Sequence, residues 1–162
     1  MMTLKTILVA TDFSEASAAA LVYARELAHA FKSALHVLHV TDNVIAGAIG
    51  VEGYTTDWPA LQHEVDDAAR KQLDRIVTEE DRQTLAAKTI VTTSNSPAEA
   101  ITSYANDAQV DLIIVGTHGR GGMTHLLMGS VAERVVRTAR CPVLTVRQAT
   151  ASSEAQPAAP HA

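Results

Sequence analysis

The sequence predicts a single α/β domain in which helices cover both faces of one parallel sheet. Short runs rich in Val and Ile alternate along the chain with segments whose apolar residues recur every three or four positions. The chain has 162 residues, 47% of them apolar, which suffices for one domain with its own core. Right-handed crossovers between such strands favour a doubly wound, Rossmann-like sheet of five strands in the order 3-2-1-4-5.

The first strand is the β-branched run Thr6–Ala10, as expected of a strand buried on both faces. Ser14 follows as a residue type that caps helices, and the first helix runs to about residue 31. Four of its apolar residues lie on one stripe: Leu21, Ala24, Ala28 and Phe31. A second strand covers residues 34–40.

The middle of the chain is less regular. Residues 42–58 have no clean period and contain three glycines, which indicates a long loop that includes Trp58. A second helix is expected over about residues 60–80 because its apolar positions again have helical spacing. A third strand covers about residues 87–93.

The third helix begins with a strong start signal. Ser96 and Glu99 have the spacing of a capping box, and Pro97 occupies the first position of a helix that runs to about residue 108. The fourth strand is the apolar run over residues 111–116, which has the composition of a strand buried on both faces.

The last part of the chain contains a loop, a helix and a strand before the apolar pattern ends. Residues 116–129 are loop-like, residues 130–138 form the fourth helix, and residues 142–146 form the last strand. The domain therefore covers residues 1–147. The remaining residues 148–162 are small and polar with two prolines, which predicts a disordered tail.

Composition excludes several classes of protein. The formal net charge is −5 and there is no run of Lys or Arg, so we expect no nucleic-acid partner. The single cysteine, Cys141, cannot form an internal disulfide or a cysteine-based zinc cluster. No apolar run approaches the ~20 residues of a membrane helix, and the N-terminus does not read as a signal peptide. We therefore expect a cytoplasmic protein that does not associate with membranes.

The predicted strand order places a ligand site before any motif is considered. Strands one and four lie side by side where the winding of the sheet reverses, and ligands of such sheets bind beyond the carboxyl ends of the strands there. This site includes Thr11, Asp12 and the segment from Gly116 onward. Residues 116–122 contain four of the chain's eight glycines, and glycine lets backbone N–H groups approach a ligand closely.

The helix that follows the glycines favours an anion. Gly129 and Ser130 open it, and the first N–H groups and the dipole of a helix attract phosphate. Alternatively, Ser130 and Glu133 form a capping box that satisfies only their own helix. The chain has neither a P-loop motif nor Gly-x-Gly-x-x-Gly after its first strand, so a P-loop NTPase or a dinucleotide site is not expected.

The spacing Gly116-x2-Gly119-x9-Gly129-Ser130 resembles that of the ATP-binding members of the universal stress protein family. Residues 7–14, 111–119 and 141–146 are similar to the family's first, fourth and last strand regions, and the resemblance covers about residues 3–147. It implies the predicted fold and a bound ATP, with AMP or ADP as alternatives. Mg²⁺ would be carried by the phosphates.

The resemblance also assigns roles to individual residues. Asp12 matches the residue that contacts the adenosine portion, and Val40 matches the residue whose backbone meets the adenine. Arg120 is the only Lys or Arg among residues 116–130, which suits a phosphate contact. The implied nucleotide-binding residues are Ala10, Thr11, Asp12, Val40, Val115, Gly116, His118, Gly119, Arg120, Gly129, Ser130 and Val131.

Family members often dimerise through the last strand, so the resemblance implies a homodimer through residues 142–146, which include Pro142 and Val146. An exposed edge strand is a template for such pairing. The implied function is a nucleotide-dependent regulatory or stress-protective module. No lysine lies within residues 117–146, and efficient phosphoryl transfer needs charge clamps, so we expect no catalytic residues and at most a slow ATPase.

Three alternatives accompany this interpretation. The protein could be a nucleotide-free interaction or chaperone-like dimer of the same fold. It could be an adenylyl-transfer enzyme of a related fold, although the His-x-x-His, His-x-Gly-His and Ser-Gly-Gly-x-Asp-Ser segments of those enzymes are absent. His36 and His39 suggest a metal site, but residues three apart on a strand point to opposite faces, so no protein-built metal site is expected.

Overall fold

The computed structural model describes residues 3–47, 56–117 and 128–147. Its strands are β1 (Thr6–Ala10), β2 (Ala34–Thr41), β3 (Lys88–Thr93), β4 (Leu112–Gly116) and β5 (Val143–Val146). Its helices are α1 (Glu15–Phe31), α2 (Val44–Gly47), α3 (Trp58–Ile76), α4 (Glu79–Thr84), α5 (Pro97–Asp107) and α6 (Ser130–Thr138). The predicted tail, residues 148–162, lies outside the described residues.

The strands form one parallel sheet in the order β3-β2-β1-β4-β5, which confirms the predicted topology. β1 is central, with β2 on one side and β4 on the other. Its residues Ile7, Leu8 and Val9 are all 0% exposed. The continuous apolar run of this strand is therefore explained by helices that cover both faces of the sheet.

Alternate residues of the central strands supply two separate cores. Ile7 and Val9 pack in a cluster with residues of α1 and α3, whereas Leu8 packs with residues of α5 and α6. Successive side chains of a strand point to opposite faces, so one short strand contributes to both clusters. The site described below lies at the edge of the sheet where these two layers meet the ends of the strands.

Small side chains let α1 approach the sheet closely. Its buried residues include Ala16, Ala20, Ala24 and Ala28, none more than 3% exposed. The prediction that Phe31 continues this stripe is wrong, because Phe31 is 43% exposed and the contribution of α1 to the core ends at Ala28. None of the described helices combines the length and the apolar character needed to cross a bilayer.

The single helix predicted over residues 60–80 is also wrong, because the chain breaks at Val77 and Thr78 to form α3 and α4. Thr78 caps α4: its Oγ1 accepts the Asp81 N–H at 3.1 Å, and Asp81 Oδ2 accepts the Thr78 N–H at 2.9 Å. Arg25 on α1 then donates to the Asp81 carboxylate through Nε and Nη2, at 2.9 and 2.7 Å. The start of α4 therefore has a local signal in its capping box, and Arg25 adds a partner 56 residues away in the sequence.

Two further expectations are corrected at helix starts. The stretch predicted as a loop contains α2, and Trp58 is the half-buried first residue of α3, while residues 48–55 lie outside the described residues. α5 begins at Pro97 as predicted, but Ser96 makes no side-chain capping bond. The turn before α5 is ordered instead by Ser94 Oγ, which accepts the Ser96 N–H at 3.0 Å.

Candidate functional site

Three chain segments meet where the winding of the sheet reverses. β1 and β4 lie side by side with Ala10 opposite Val115, and both strands end at this edge. The Gly129 N–H donates to the Thr117 carbonyl at 2.6 Å. This bond places the start of α6 beside the end of β4. The ends of β1 and β4 and the start of α6 therefore come together, as the strand order predicts.

The turn from β1 into α1 is stabilised by hydrogen bonds among its own residues and the first turn of α1. Thr11 is 7% exposed, and its Oγ1 accepts the Phe13 N–H at 3.0 Å and lies 3.0 Å from Ser17 Oγ. Phe13 has a φ of 63°, in the left-handed region that non-glycine residues rarely adopt. The Thr11 hydroxyl is therefore already used inside the turn.

Asp12 supplies an ionised acceptor on this turn. Its Oδ1 accepts the Ser14 N–H at 3.0 Å and the Ser14 hydroxyl at 2.5 Å. Burial acts to raise the pKa of Asp12, but these donors outweigh it and hold the pKa below its ordinary value. Asp12 does not cap α1, because Ser14 does so by accepting the Ser17 N–H at 3.3 Å. The carboxylate is therefore charged at neutral pH and held in one orientation.

The end of β2 extends beyond the end of β1. The Thr11 N–H donates to the Leu38 carbonyl on one side of β2, and the Ser94 N–H donates to the Thr41 carbonyl on the other. Backbone groups of successive strand residues point to alternate sides, so the N–H and carbonyl of Val40 face the β1 side. The described register of β1 ends opposite Leu38. The side chain of Val40 packs into the core under α5 and α6, so its backbone is what a ligand at this edge would meet.

Gly116 lies at the end of β4, directly against α1. A Cβ atom on Gly116 would lie 2.8 Å from the carbonyl carbon of Ala16 and 2.9 Å from its oxygen. Real Cβ atoms essentially never come that close to backbone atoms, so only glycine fits here without movement of α1. Helix packing therefore accounts for this glycine, independently of any ligand.

Among the residues that the structure describes, none contributes a side-chain cap to α6. Its N-cap residue is Gly129, and Ser130 is the first helical residue. The capping box considered for Ser130 and Glu133 is therefore wrong, because it requires the hydroxyl at the N-cap position. No side chain among the described residues caps the N–H groups of the first turn, and Val131 in that turn is 38% exposed. These N–H donors and the helix dipole are suited to an anion.

Three of the predicted site residues, His118, Gly119 and Arg120, lie outside the described residues. The others lie at the ends of β1, β2 and β4 and at the start of α6: Ala10, Thr11, Asp12, Val40, Val115, Gly116, Gly129, Ser130 and Val131. Their position at the carboxyl edge of the sheet is confirmed, and their role in binding stays a prediction.

A model of the universal stress protein family matches residues 3–147. The chain belongs to that family. The universal stress protein YxiE of Bacillus subtilis is 33% identical to it over 146 residues, which cover 86% of this chain and 97% of YxiE. The solved structure of MJ0577 from Methanocaldococcus jannaschii has a TM-score of 0.76 at 29% identity and covers 92% of this chain and 99% of that one.

The universal stress protein fold is also shared with a more distant protein. A universal stress protein from Archaeoglobus fulgidus, solved in complex with dAMP, has a TM-score of 0.54 at 21% identity. The likeness covers 90% of this chain and 99% of that chain. At this identity the comparison shows a common fold.

Sequence reasoning missed a structural role for His39 in this universal stress protein. Its Nδ1 donates to the Thr11 carbonyl at 2.8 Å, and its ring lies against Phe13 with centroids 4.5 Å apart. His36 lies on the opposite face, with Nδ1 2.9 Å from the Tyr104 hydroxyl, so the two histidines point apart as strand alternation predicts. The local sign in the sequence is that His39 directly precedes Val40 near the end of a predicted strand.

Proposed function

We propose that this protein binds ATP and acts as a nucleotide-dependent regulatory or stress-protective module. The observation that carries the proposal is the start of α6, which no side chain of the described residues caps and which is tied through Gly129 to Thr117 at the end of β4. A helix N-terminus of this kind stabilises phosphate oxygens through its N–H groups and its dipole. The glycine-rich sequence of residues 116–122 would add further backbone donors.

The nucleoside would lie across the ends of β1 and β2. The N–H and carbonyl of Val40 offer a donor and an acceptor on the same side of β2, which complement the ring-nitrogen acceptor and amino donor of adenine. The ionised carboxylate of Asp12 is suited to accept hydrogen bonds from ribose hydroxyls. The dAMP-bound protein from Archaeoglobus fulgidus supports an adenine nucleotide through the shared fold.

The same proposal covers the metal ion, the rate of ATP hydrolysis and the cellular location of the protein. Mg²⁺ would enter bound to the phosphates, because it commonly keeps several waters and takes few protein ligands. Arg120 would offset part of the remaining phosphate charge. Hydrolysis should be slow or absent, since residues 117–146 contain no lysine to clamp a transferring phosphoryl group. AMP and ADP are the alternative ligands, and a cytoplasmic location stays a prediction.

Ser130→Asp tests the role of α6. A carboxylate in the first turn stabilises the helix through the helix dipole. It also occupies the position proposed for the phosphate, and its negative charge repels the phosphate. Calorimetric titration should show at least a tenfold weaker affinity for Mg-ATP. The control Ser103→Asp adds the same charge at an exposed position of α5 and should keep the wild-type affinity. An undiminished affinity in Ser130→Asp would show that α6 does not hold the phosphates.

The second candidate function is a nucleotide-free interaction or chaperone-like dimer. It is favoured by the position of β5 at an edge of the sheet, where its outer side is open to pairing among the described residues. Both candidates allow a homodimer through β5, so the discriminating measurement is the ligand. Freshly purified protein is denatured, and any released nucleotide is identified by chromatography. Protein that carries no nucleotide and does not bind added Mg-ATP would favour the second candidate.

A further inference from the structure

A single amide side chain on α3 holds the connection that follows β2. Gln62 Oε1 accepts the Val44 N–H at 2.9 Å, and Gln62 Nε2 donates to the Asp42 carbonyl at 3.2 Å. Its donor and acceptor therefore fix the backbone on both sides of Asn43. Asn95 makes a second contact with this connection, because its Oδ1 accepts the Asn43 N–H at 3.0 Å.

Asp66, one turn further along α3, orients Gln62 and holds the ends of β2 and β3. Its Oδ1 accepts from Gln62 Nε2 at 3.1 Å and from the Thr41 hydroxyl at 2.7 Å. The Thr93 hydroxyl lies 3.3 Å from both carboxylate oxygens. Burial acts to raise the pKa of Asp66, but these donors and the charge of Arg70 hold it below its ordinary value. The carboxylate is therefore an ionised acceptor for three side chains.

The apolar residues at this end of α3 are at most half-buried. The buried residues of the helix, Ala69 and Leu73, lie in its second half. Gln62 and Asp66 lie in the first half, where their polar contacts add to the packing of half-buried apolar residues. Thr41 is only 4% exposed, so its bond to Asp66 is shielded from competing water.

The position of this cluster relates it to the proposed nucleotide site. The carbonyl of Val40 belongs to the peptide that joins it to Thr41, so the anchor on Thr41 limits rotation of that peptide. Gln62 limits the 42–43 and 43–44 peptides of the connection. The donor and acceptor of Val40 are therefore presented in one fixed arrangement, which matches adenine and places like groups opposite each other for guanine.

We propose that Gln62, oriented by Asp66, is a positioning residue that sets the preference of the site for adenine over guanine. The inference rests on the proposed function, because it assumes that the base meets the backbone of Val40. Gln62 need not touch the ligand. It acts by keeping the connection after β2 from moving, so that binding the correct base does not require ordering of this segment.

The test measures three affinities by calorimetry: those of Mg-ATP, Mg-GTP and inorganic tripolyphosphate. Gln62→Leu keeps a similar volume and removes both hydrogen-bonding groups. We expect about a tenfold loss of ATP affinity and a smaller ATP/GTP ratio, with tripolyphosphate binding within about twofold of wild type. The control Gln72→Leu, at an exposed position of the same helix, should change none of the three.

The outcomes separate this inference from the function on which it rests. A wild-type protein that binds neither ATP nor tripolyphosphate overturns the proposed function and the inference with it. A wild-type protein that binds ATP, together with an unchanged ATP/GTP ratio in Gln62→Leu, overturns the inference alone. If Gln62→Leu does not fold, Asp66→Asn serves as the second variant. It keeps the side-chain size but weakens the acceptor, and it should shift the same ratio in the same direction.

Discussion

At the scale of the residue, Gly116 shows how packing and proposed binding coincide at one position. The residue is close enough to Ala16 that any side chain would meet the backbone of α1. It also ends the strand beside β1, where the proposed ligand lies. The glycine alone therefore does not distinguish a ligand site from a close helix contact, and the uncapped start of α6 is the more specific indicator.

Gly116→Ala should destabilise the protein even when no ligand is present. The added methyl group would lie 2.8 Å from a backbone atom, so α1 or β4 must move. Overpacking of this kind typically costs about 1–3 kcal/mol. The free energy of unfolding from urea denaturation measures the effect, with the exposed substitution Val131→Ala as a control that should change it by less than about 0.5 kcal/mol. Equal free energies of unfolding for Gly116→Ala and wild type would mean that α1 can move away from β4 without loss of stability.

At the scale of the element, the two hydrogen-bonding sides of β5 are distinct. The Ile113 N–H donates to the Pro142 carbonyl, and the Thr117 N–H donates to the Val146 carbonyl. Backbone groups alternate along a strand, so those of Val143 and Thr145 point away from β4, toward the open edge. This edge is the surface proposed for the homodimer.

Thr145→Pro should convert such a dimer into a monomer. Proline removes an N–H that points to the open edge and leaves the bonds to β4 in place, as is tolerated on edge strands. Sedimentation velocity gives the oligomeric state. The matched control Thr145→Val keeps the backbone donor and should remain dimeric. A dimer that persists in Thr145→Pro would place the interface elsewhere.

The helices show which elements a sequence can and cannot predict. The start of α1 at Ser14 and the start of α5 at Pro97 were predicted because their signals lie within four residues. The break between α3 and α4 was missed although Thr78 and Asp81 have the local spacing of a capping box; only the contact of Asp81 with Arg25 lies beyond the reach of local sequence. The Ser-x-x-Glu pattern at the start of α6 was ambiguous because the same residues fit a cap at Gly129 or at Ser130.

At the scale of the whole molecule, a hydrogen-bonded pair of a buried histidine and a half-buried tyrosine links the sheet to one of its helical layers. His36 on β2 is 8% exposed, and its Nδ1 lies 2.9 Å from the Tyr104 hydroxyl on α5. Burial, and then the positive charge of Lys88 on β3, hold the pKa of His36 below its ordinary value of 6.5. Burial also raises the pKa of Tyr104, so both groups are neutral in the folded protein at pH 7.

The pair predicts a loss of global stability in mild acid. The unfolded chain protonates His36 at a higher pH than the folded chain, so its contribution is intact above pH 6.5 and falls as the pH drops toward the folded pKa. One such group gives a slope of at most about 1.4 kcal/mol per pH unit. Denaturation free energies at pH 7 and pH 5 should differ less in His36→Gln than in wild type. The control His29→Gln, at an exposed position, should keep the wild-type difference. If His36→Gln shows the same difference as wild type, His36 is not the source of the pH dependence.

The sheet order was predictable because alternation of strands and helices and the handedness of crossovers leave few arrangements. The same order located Asp12 and Gly116 at one edge without knowledge of any contact. The anchoring of that edge was not predictable. Gln62, Asp66 and His39 act through partners that lie far away in the sequence, and polar residues on a helix or strand give no local sign of such contacts.

The hydrogen bond between Gly129 and Thr117 has a consequence for variation within the family. It joins the two residues that flank 118–128, so it ties the start of α6 to the end of β4 through backbone atoms alone. The cost of closing such a connection grows slowly with its length, by about 0.6 kcal/mol for each doubling. Chimaeras that receive this stretch from a homologue should therefore keep the fold and the base preference set at the end of β2, while their affinity for phosphate follows the donor sequence.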